Sequence, residues 1–162
     1  MAEKVRIQID KLVYGGDGIG RLPDGRAVFV PFTLPGEVVE LQIVQDGKRF
    51  ARGRLINLLE ASPERIQPRC KHFGTCGGCH YQHILYDAQL QAKLTILQDQ
   101  MDRLGGFSAL PISGITSSPS PWNYRNQVQF HPAPEGGLGF MDLEGKSVVP
   151  IQECHLPTEG IN

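Results

Sequence analysis

The sequence lacks any long apolar run. No stretch approaches the roughly 20 apolar residues that a helix needs to cross a bilayer, and the start, from Met1 to Arg6, has no apolar signal-peptide core. We therefore expect a cytoplasmic protein without a membrane segment. The net charge is only −1, and 40% of the 162 residues are hydrophobic. This is the composition of an ordinary soluble protein with one medium or two small domains, and it does not by itself indicate a nucleic-acid partner.

Cysteine is scarce, and its placement is uneven. The chain has four cysteines, of which three fall within Cys70–Cys79 at the spacing Cys-x5-Cys-x2-Cys. Two cysteines separated by two residues can bind one metal centre, because the turn between them points both sulfurs inward. Gly77 and Gly78 allow positive φ and leave room for backbone N–H groups to approach the sulfurs. The sequence thus predicts one metal site with the ligands Cys70, Cys76, Cys79 and Cys154.

The residues alone leave the metal open. Disulfides are disfavoured, because nothing marks the chain as secreted. Four-cysteine zinc sites usually draw their ligands from two short pairs, whereas this chain has one pair and two single cysteines, so spacing does not decide between zinc and an iron–sulfur cluster. Four cysteines complete a four-coordinate site, which disfavours an open radical-type cluster. The nearby histidines are expected to be neighbours rather than ligands, and they are His72, His80, His83 and His155.

The first 62 residues predict a small barrel. Val5, Ile7 and Ile9 alternate with polar residues, as in a half-buried strand. Similar short strands are predicted after the glycine-dense segment 15–20, at residues 26–30, around residues 39–43, and from residue 50 to 58. Five short antiparallel strands in about 60 residues are typical of a closed barrel of the OB type.

The last predicted strand is basic. No acid occurs among residues 47–59, and a basic strand with an aromatic residue on such a barrel is how these folds hold single-stranded nucleic acid. The alternative is a solvated edge strand that is protected by its charge. The residues predicted to contact RNA are Lys48, Arg49, Phe50, Arg52 and Arg54.

A second, mixed α+β domain is predicted over residues 63–162. Leu90, Leu94, Leu97, Met101 and Leu104 recur at helical spacing, which indicates a helix whose stripe packs into a core. Asp87 is its expected N-cap and Gly105 its expected C-cap. Strands are predicted at residues 126–131 and 139–141, with Gly136 and Gly137 in the turn, and residues 148–151 lead back to the fourth cysteine.

These features together resemble one family. The glycine-rich first strand pair, the Arg-Phe-Ala-Arg-Gly segment, and the Cys-Gly-Gly-Cys-His-Tyr-Gln-His motif at residues 76–83 resemble the N-terminal part of bacterial RNA uracil-C5 methyltransferases that carry an iron–sulfur cluster. Tyr124-Arg125-Asn126 resembles a strand of their central domain. The resemblance implies a TRAM domain over residues 1–62, a 4Fe–4S cluster on the four cysteines, and large-subunit (23S) ribosomal RNA as the partner.

The resemblance also implies what lies outside this chain. In that family a nucleophilic cysteine and an S-adenosylmethionine site belong to a C-terminal Rossmann-like domain. Here no fifth cysteine and no glycine-rich strand-to-helix loop occurs, so we expect no catalytic residue and no S-adenosylmethionine contact within these 162 residues. Pro157 and Glu159 suit the start of a helix, and we therefore expect a chain that is cut before its catalytic domain. The alternatives are a stand-alone RNA-binding iron–sulfur or zinc module without activity, and a small electron-transfer protein. We expect a monomer.

Overall fold

A computed structural model describes residues 4–107, 110 and 112–161. Their contacts divide the chain into two compact units. The first unit comprises the described residues up to Ile66 together with His83–Ile115, and the second comprises Gln67–Gln82 together with the described residues from Thr116 onward. This division groups the helical region with the barrel residues, whereas the boundary near residue 62 stays a prediction.

The first unit contains a closed five-stranded barrel, as the sequence predicts. Its strands are β1 (Lys4–Leu12), β2 (Gly18–Arg21), β3 (Ala27–Val30), β4 (Val38–Asp46) and β5 (Phe50–Glu60). They close in the order β1-β2-β3-β5-β4, and β4 pairs with β1. The expectation that all pairs are antiparallel is wrong at one place, because β3 and β5 run parallel.

Alternating apolar side chains fill the barrel. The core includes Ile7, Ile9, Val28, Val30, Val39, Leu41 and Ala51, all of them buried. The glycine-dense segment serves close strand contact, because a Cβ on Gly20 would overlap the carbonyl oxygen of Gln8. At the β2–β3 turn Gly25 has a φ of 87°, which fits the predicted turn.

The helix of the first unit, α1 (Tyr86–Arg103), differs from the prediction at both ends. Its N-cap is Leu85, which makes no side-chain capping bond, and the expected cap Asp87 lies in the first turn. The C-cap is Leu104 rather than Gly105. No helix among the described residues has the length and apolarity needed to cross a membrane.

The leucine stripe of α1 is not packed into a core along its length. Leu97 is 46% exposed and Leu104 84% exposed, while the buried helix residue is Ile96. Helical spacing identifies an apolar face, but it does not supply the surface that covers it.

The second unit contains a three-stranded antiparallel sheet of β6 (His131–Pro132), β7 (Leu138–Met141) and β8 (Val148–Pro150), followed by a 3-10 turn at Glu159–Ile161. Gly136 and Gly137 lie in the β6–β7 turn, as predicted, and both have positive φ. Because α1 groups with the barrel, the predicted α+β second domain stays a prediction.

The strand predicted at residues 126–131 is wrong except at its last residue. The preceding backbone is held elsewhere: Asn123 N–H donates to His155 O at 3.0 Å, and Arg125 N–H donates to Leu156 O at 2.9 Å. Thr158 N–H in turn donates to Arg125 O at 2.8 Å. Residues 123–125 are therefore held by the segment after the fourth cysteine, and residues 126–130 form no strand.

Candidate functional site

The four predicted metal ligands line one cavity of the second unit. Cys70, Cys76, Cys79 and Cys154 all border this space of about 50 Å³. All four are free thiols; Cys76 is buried and the other three are half-buried. The fold thus brings cysteines that are far apart in the chain to one cavity, whereas their role as metal ligands stays a prediction.

Hydrogen bonds to β7 and the turn after it hold the cysteine loop. Gly77 N–H donates to Met141 O at 2.9 Å, and Leu143 N–H donates to Thr75 O at 3.1 Å. Gly77 and Gly78 do not adopt the positive φ that glycine allows, and in this loop Gly74 has it instead. Gly77 is small for another reason: a Cβ there would lie 2.7 Å from Asp142 O.

Two of the sulfurs accept hydrogen bonds. Gly78 N–H approaches Cys76 Sγ at 3.4 Å, and the side-chain amide of Gln82 donates to Cys79 Sγ at 3.2 Å. The carbonyl oxygen of the same Gln82 accepts from Cys70 N–H at 3.1 Å. Hydrogen bonds from N–H groups to cysteine sulfur are one of the ways in which proteins tune iron–sulfur clusters.

The cavity favours neutral thiols when it holds no metal. Burial raises the pKa of both the Cys76 and Cys79 thiols, and the neighbouring cysteines raise it further, while the hydrogen bonds to the sulfurs oppose the shift. Ligand thiols must be deprotonated to bind a metal. Binding at this site would therefore release protons.

The remaining walls are largely apolar. Phe73, Val128, Phe140, Ile151 and Leu156 border the cavity, together with His72, Arg125 and Glu153. Burial lowers the pKa of His72, and no described residue offers a hydrogen-bond partner to its buried Nε2. Across the described ranges, no three His, Cys, Asp or Glu side chains form a group that could hold a metal ion.

The other histidines have separate environments. His83 belongs to the first unit and is buried with its ring centroid 6.1 Å from that of Phe32. His155 packs edge-on against Trp122 at 6.1 Å, and His80 is exposed.

The predicted RNA contacts lie on the outside of the barrel. Phe50, Arg52 and Arg54 are exposed and alternate along β5 with two buried residues, so they share the outer face as expected. Lys48 and Arg49 are also exposed, but they lie in the β4–β5 turn rather than on the strand.

Neighbouring residues that the sequence reasoning missed complete this face. Arg52 Nη1 lies 3.4 Å from Asp17 Oδ2, and its guanidinium lies 5.8 Å from the ring centroid of Phe29. Phe29 meets Phe50 edge-on at 5.6 Å. The signal for Phe29 is its place between two buried valines of β3, which assigns it to the outer face.

The barrel region has a recognised family. Residues 2–56 match the TRAM domain. Over almost its whole length the chain is also similar to proteins named as RNA methyltransferases. One from Aquifex aeolicus is 39% identical over 98% of this chain, one from Halalkalibacterium halodurans is 37% identical over 96%, and one from Thermotoga maritima is 34% identical over 99%. The chain spans 34–37% of the length of these relatives.

A solved structure has a similar fold. The crystal structure of Pyrococcus abyssi tRNA (uracil-54, C5)-methyltransferase in complex with S-adenosyl-L-homocysteine superposes with a TM-score of 0.59 at 25% identity. The match covers 95% of this chain and 33% of that one. The chain is thus similar to the TRAM domain over residues 2–56 and, over almost its whole length, to proteins named as RNA methyltransferases.

Proposed function

We propose that this chain is the RNA-recognition and cluster-binding portion of an S-adenosylmethionine-dependent RNA uracil-C5 methyltransferase that acts on large-subunit ribosomal RNA. The observation that carries the proposal is the similarity to RNA methyltransferases over 94–99% of the chain. The uracil-C5 reaction is supported by the related Pyrococcus abyssi enzyme. The target in ribosomal rather than transfer RNA rests on the motif resemblance alone.

RNA binding is assigned to the outer face of β3 and β5 and to the β4–β5 turn. Lys48 and Arg49 offer exposed cations to phosphates, while Phe50 offers a partly exposed ring beside Arg52. Cations that follow the backbone and rings that stack on bases are the two elements of sequence-tolerant single-strand binding. Arg54 Nη2 donates to the neutral Gln42 Oε1 at 2.7 Å, which leaves the charge and the other N–H groups of its guanidinium for a phosphate contact.

The four-cysteine cavity fits a 4Fe–4S cluster by its chemistry. Four sulfur donors, N–H groups directed at two of them, apolar walls, and a buried His72 Nε2 without a partner among the described residues suit such a group. Cys70, Cys76, Cys79 and Cys154 would hold it. When bound, the cluster would supply a covalent link between the cysteine loop and the segment around the fourth cysteine.

The size of the cavity favours a cluster over zinc. A single tetrahedral zinc ion needs its four sulfurs at about 2.3 Å from one point. The cavity of about 50 Å³ exceeds the roughly 10–15 Å³ that one water needs. Four sulfurs around a larger space suit a multi-atom group.

The methyl transfer itself is assigned to a further part of the protein. All four cysteines of this chain border the same cavity, so none is left to attack the uracil ring. The relatives are two to three times as long as this chain, as the covered share of 34–37% shows. We place the nucleophile and the S-adenosylmethionine site in that additional length.

Metal analysis tests the cluster. We expect anaerobically purified protein to be brown and to contain iron and acid-labile sulfide in equal amounts, and we expect Cys154→Ser to lose most of both. The control Gln152→Ser introduces the same side chain at an exposed position nearby and should keep them. Colourless protein that contains zinc and no labile sulfide would overturn the iron–sulfur assignment.

RNA titrations and a methylation assay test the enzyme. We expect four phosphate contacts, by Lys48, Arg49, Arg52 and Arg54. A plot of log Kd against log salt concentration should then have a slope of about 3 for a single strand. Removing all four charges should abolish most of this salt dependence. The complete gene product should transfer label from S-adenosylmethionine to carbon 5 of uracil in ribosomal RNA. RNA binding without transfer would leave a binding module and refute the enzyme.

A further inference from the structure

One buried side chain touches two of the four cysteines. Gln82 is only 7% exposed. Its Oε1 accepts from the backbone N–H of Cys70 at 3.1 Å, and its Nε2 donates to the sulfur of Cys79 at 3.2 Å. The first and last cysteines of the loop are therefore connected through a single amide group.

The orientation of this amide follows from its partners. A backbone N–H can only donate, so the carbonyl oxygen of Gln82 must face Cys70. The amide NH₂ is then left for the sulfur of Cys79. No other common side chain of this length presents an acceptor and a donor in one plane at such a spacing, which explains why glutamine suits the position.

We propose that Gln82 is a positioning residue for the four-cysteine centre, and this inference depends on the proposed cluster. Its carbonyl holds the backbone at Cys70, and its NH₂ stabilises negative charge on the Cys79 sulfur. Hydrogen bonds to an ionised acceptor are the strong ones, and reduction of a cluster adds negative charge. The bond to Cys79 therefore favours the reduced cluster.

Of the two hydrogen bonds to sulfur, the one to Cys79 can be removed by a side-chain substitution. Cys76 accepts from the backbone of Gly78, which no substitution removes cleanly, whereas Cys79 accepts from a side chain. Gln82→Leu removes both contacts without adding charge. Gln82→Glu, at a pH where the new carboxylate is ionised, keeps an acceptor for Cys70 but has no donor for Cys79.

The experiment compares these two variants with the wild type and with Gln152→Glu in the full chain. Gln152 is exposed and bonded to Lys71, so its variant adds the same charge in the same unit without touching the sulfurs. The measurements are the one-electron midpoint potential of the reconstituted cluster, the iron and sulfide content, and, in metal-free protein, the hydrogen exchange of the Cys70 amide.

We expect both Gln82 variants to disfavour the reduced cluster by about tenfold relative to the wild type, which is about 59 mV for one electron. Exchange of the Cys70 amide should speed up at least tenfold in Gln82→Leu and stay slow in Gln82→Glu. Unchanged potentials in both variants, or a fall no larger than that of Gln152→Glu, would overturn the donor role.

The two proposals fail in different ways. Wild-type protein that takes up neither iron nor sulfide would refute the cluster and with it the tuning role. The exchange rate of the Cys70 amide would still decide the positioning role, because it needs no metal. If that rate is the same in the wild type and in Gln82→Leu, Gln82 does not position Cys70.

Discussion

Arg65 and Glu37 form a bidentate ion pair. Arg65 Nε lies 2.6 Å from Glu37 Oε1, and Nη2 lies 2.7 Å from Oε2, while the Glu37 side chain is completely buried. The same carboxylate also accepts from the backbone of Leu34 at 2.8 Å and of Ser62 at 3.2 Å. This pair connects the β3–β4 loop with the segment that leaves β5.

Removing the arginine should destabilise the barrel strongly. In Arg65→Met the buried Glu37 carboxylate loses its cation, and breaking one side of a buried pair costs about 3–5 kcal/mol. The control is Arg6→Met, since Arg6 pairs with Glu60 at 3.4 Å where both side chains are about two-thirds exposed. Such exposed pairs contribute about 0–1 kcal/mol. Native-state hydrogen exchange of the barrel strands measures the loss of stability in each variant. Equal losses would contradict the role of the Arg65–Glu37 pair in holding the barrel.

His83 should make stability depend on pH. Burial, assisted by the nearby Arg65, lowers the pKa of His83 from 6.5 to about 4. The unfolded chain therefore binds more protons than the folded one between these values, so stability is complete above pH 6.5 and falls as the pH drops toward 4. The total effect is about 3 kcal/mol.

The test for His83 compares the wild type with a variant in which glutamine, which does not titrate, replaces the histidine. Urea unfolding of the wild type and of His83→Gln should be followed by circular dichroism from pH 4 to pH 7. We expect the difference in unfolding free energy between the two proteins to shrink as the pH falls. A difference that stays constant over this range would show that His83 does not carry the effect.

Asp17 should weaken RNA binding, because it competes with phosphate for Arg52. The two side chains are 3.4 Å apart, and an exposed pair of this kind contributes about 0.2–1 kcal/mol. Asp17→Asn should therefore tighten binding of an oligouridine by up to about fivefold. Asp10→Asn removes the same charge from an exposed position on β1 and should change affinity less. Equal effects of the two variants would indicate general charge repulsion instead.

Gly77 and Gly78 should respond differently to alanine. A Cβ at Gly77 would lie 2.7 Å from Asp142 O, whereas a Cβ at Gly78 has its nearest neighbour, Cys76 Sγ, at an ordinary 3.5 Å. Gly77→Ala should therefore destabilise the metal-free second unit by about 1–3 kcal/mol. The single tryptophan, Trp122, lies in this unit and reports its unfolding by fluorescence. Gly78→Ala should unfold close to the wild type; comparable losses would refute the close-contact explanation.

The barrel strands could be predicted because their information is local. The alternation around Val5–Ile9 and the turn at Gly25 depend on residues next to each other in the chain. The parallel pairing of β3 with β5 is not local, since Ala27 pairs with Phe50 and the whole of β4 lies between them in the chain. The hydrogen bonds of residues 123–125 with residues 155–158 are likewise not local, so they could not be predicted from the sequence.

The cysteines of the candidate site could be found from the sequence, whereas the residues that hydrogen-bond to them could not. Cysteine is rare enough that its spacing alone identified four residues that line one cavity. Gln82, Glu37 and Asp17 are ordinary polar residues whose importance comes from burial or from a partner distant in the chain. Nothing in a single sequence distinguishes them from solvated neighbours.

The parallel pairing of β3 with β5 also closes the barrel, and closure limits how another chain can bind to its strands. A sheet that ends in an unpaired strand exposes a row of N–H and C=O groups to which another chain can add itself. Within residues 4–60, each strand is hydrogen-bonded to two others over part of its length, whereas β5 beyond Arg52 pairs with β4 alone. Where both neighbours are present, no strand of another chain can be added, and a partner must contact the barrel through side chains and turns.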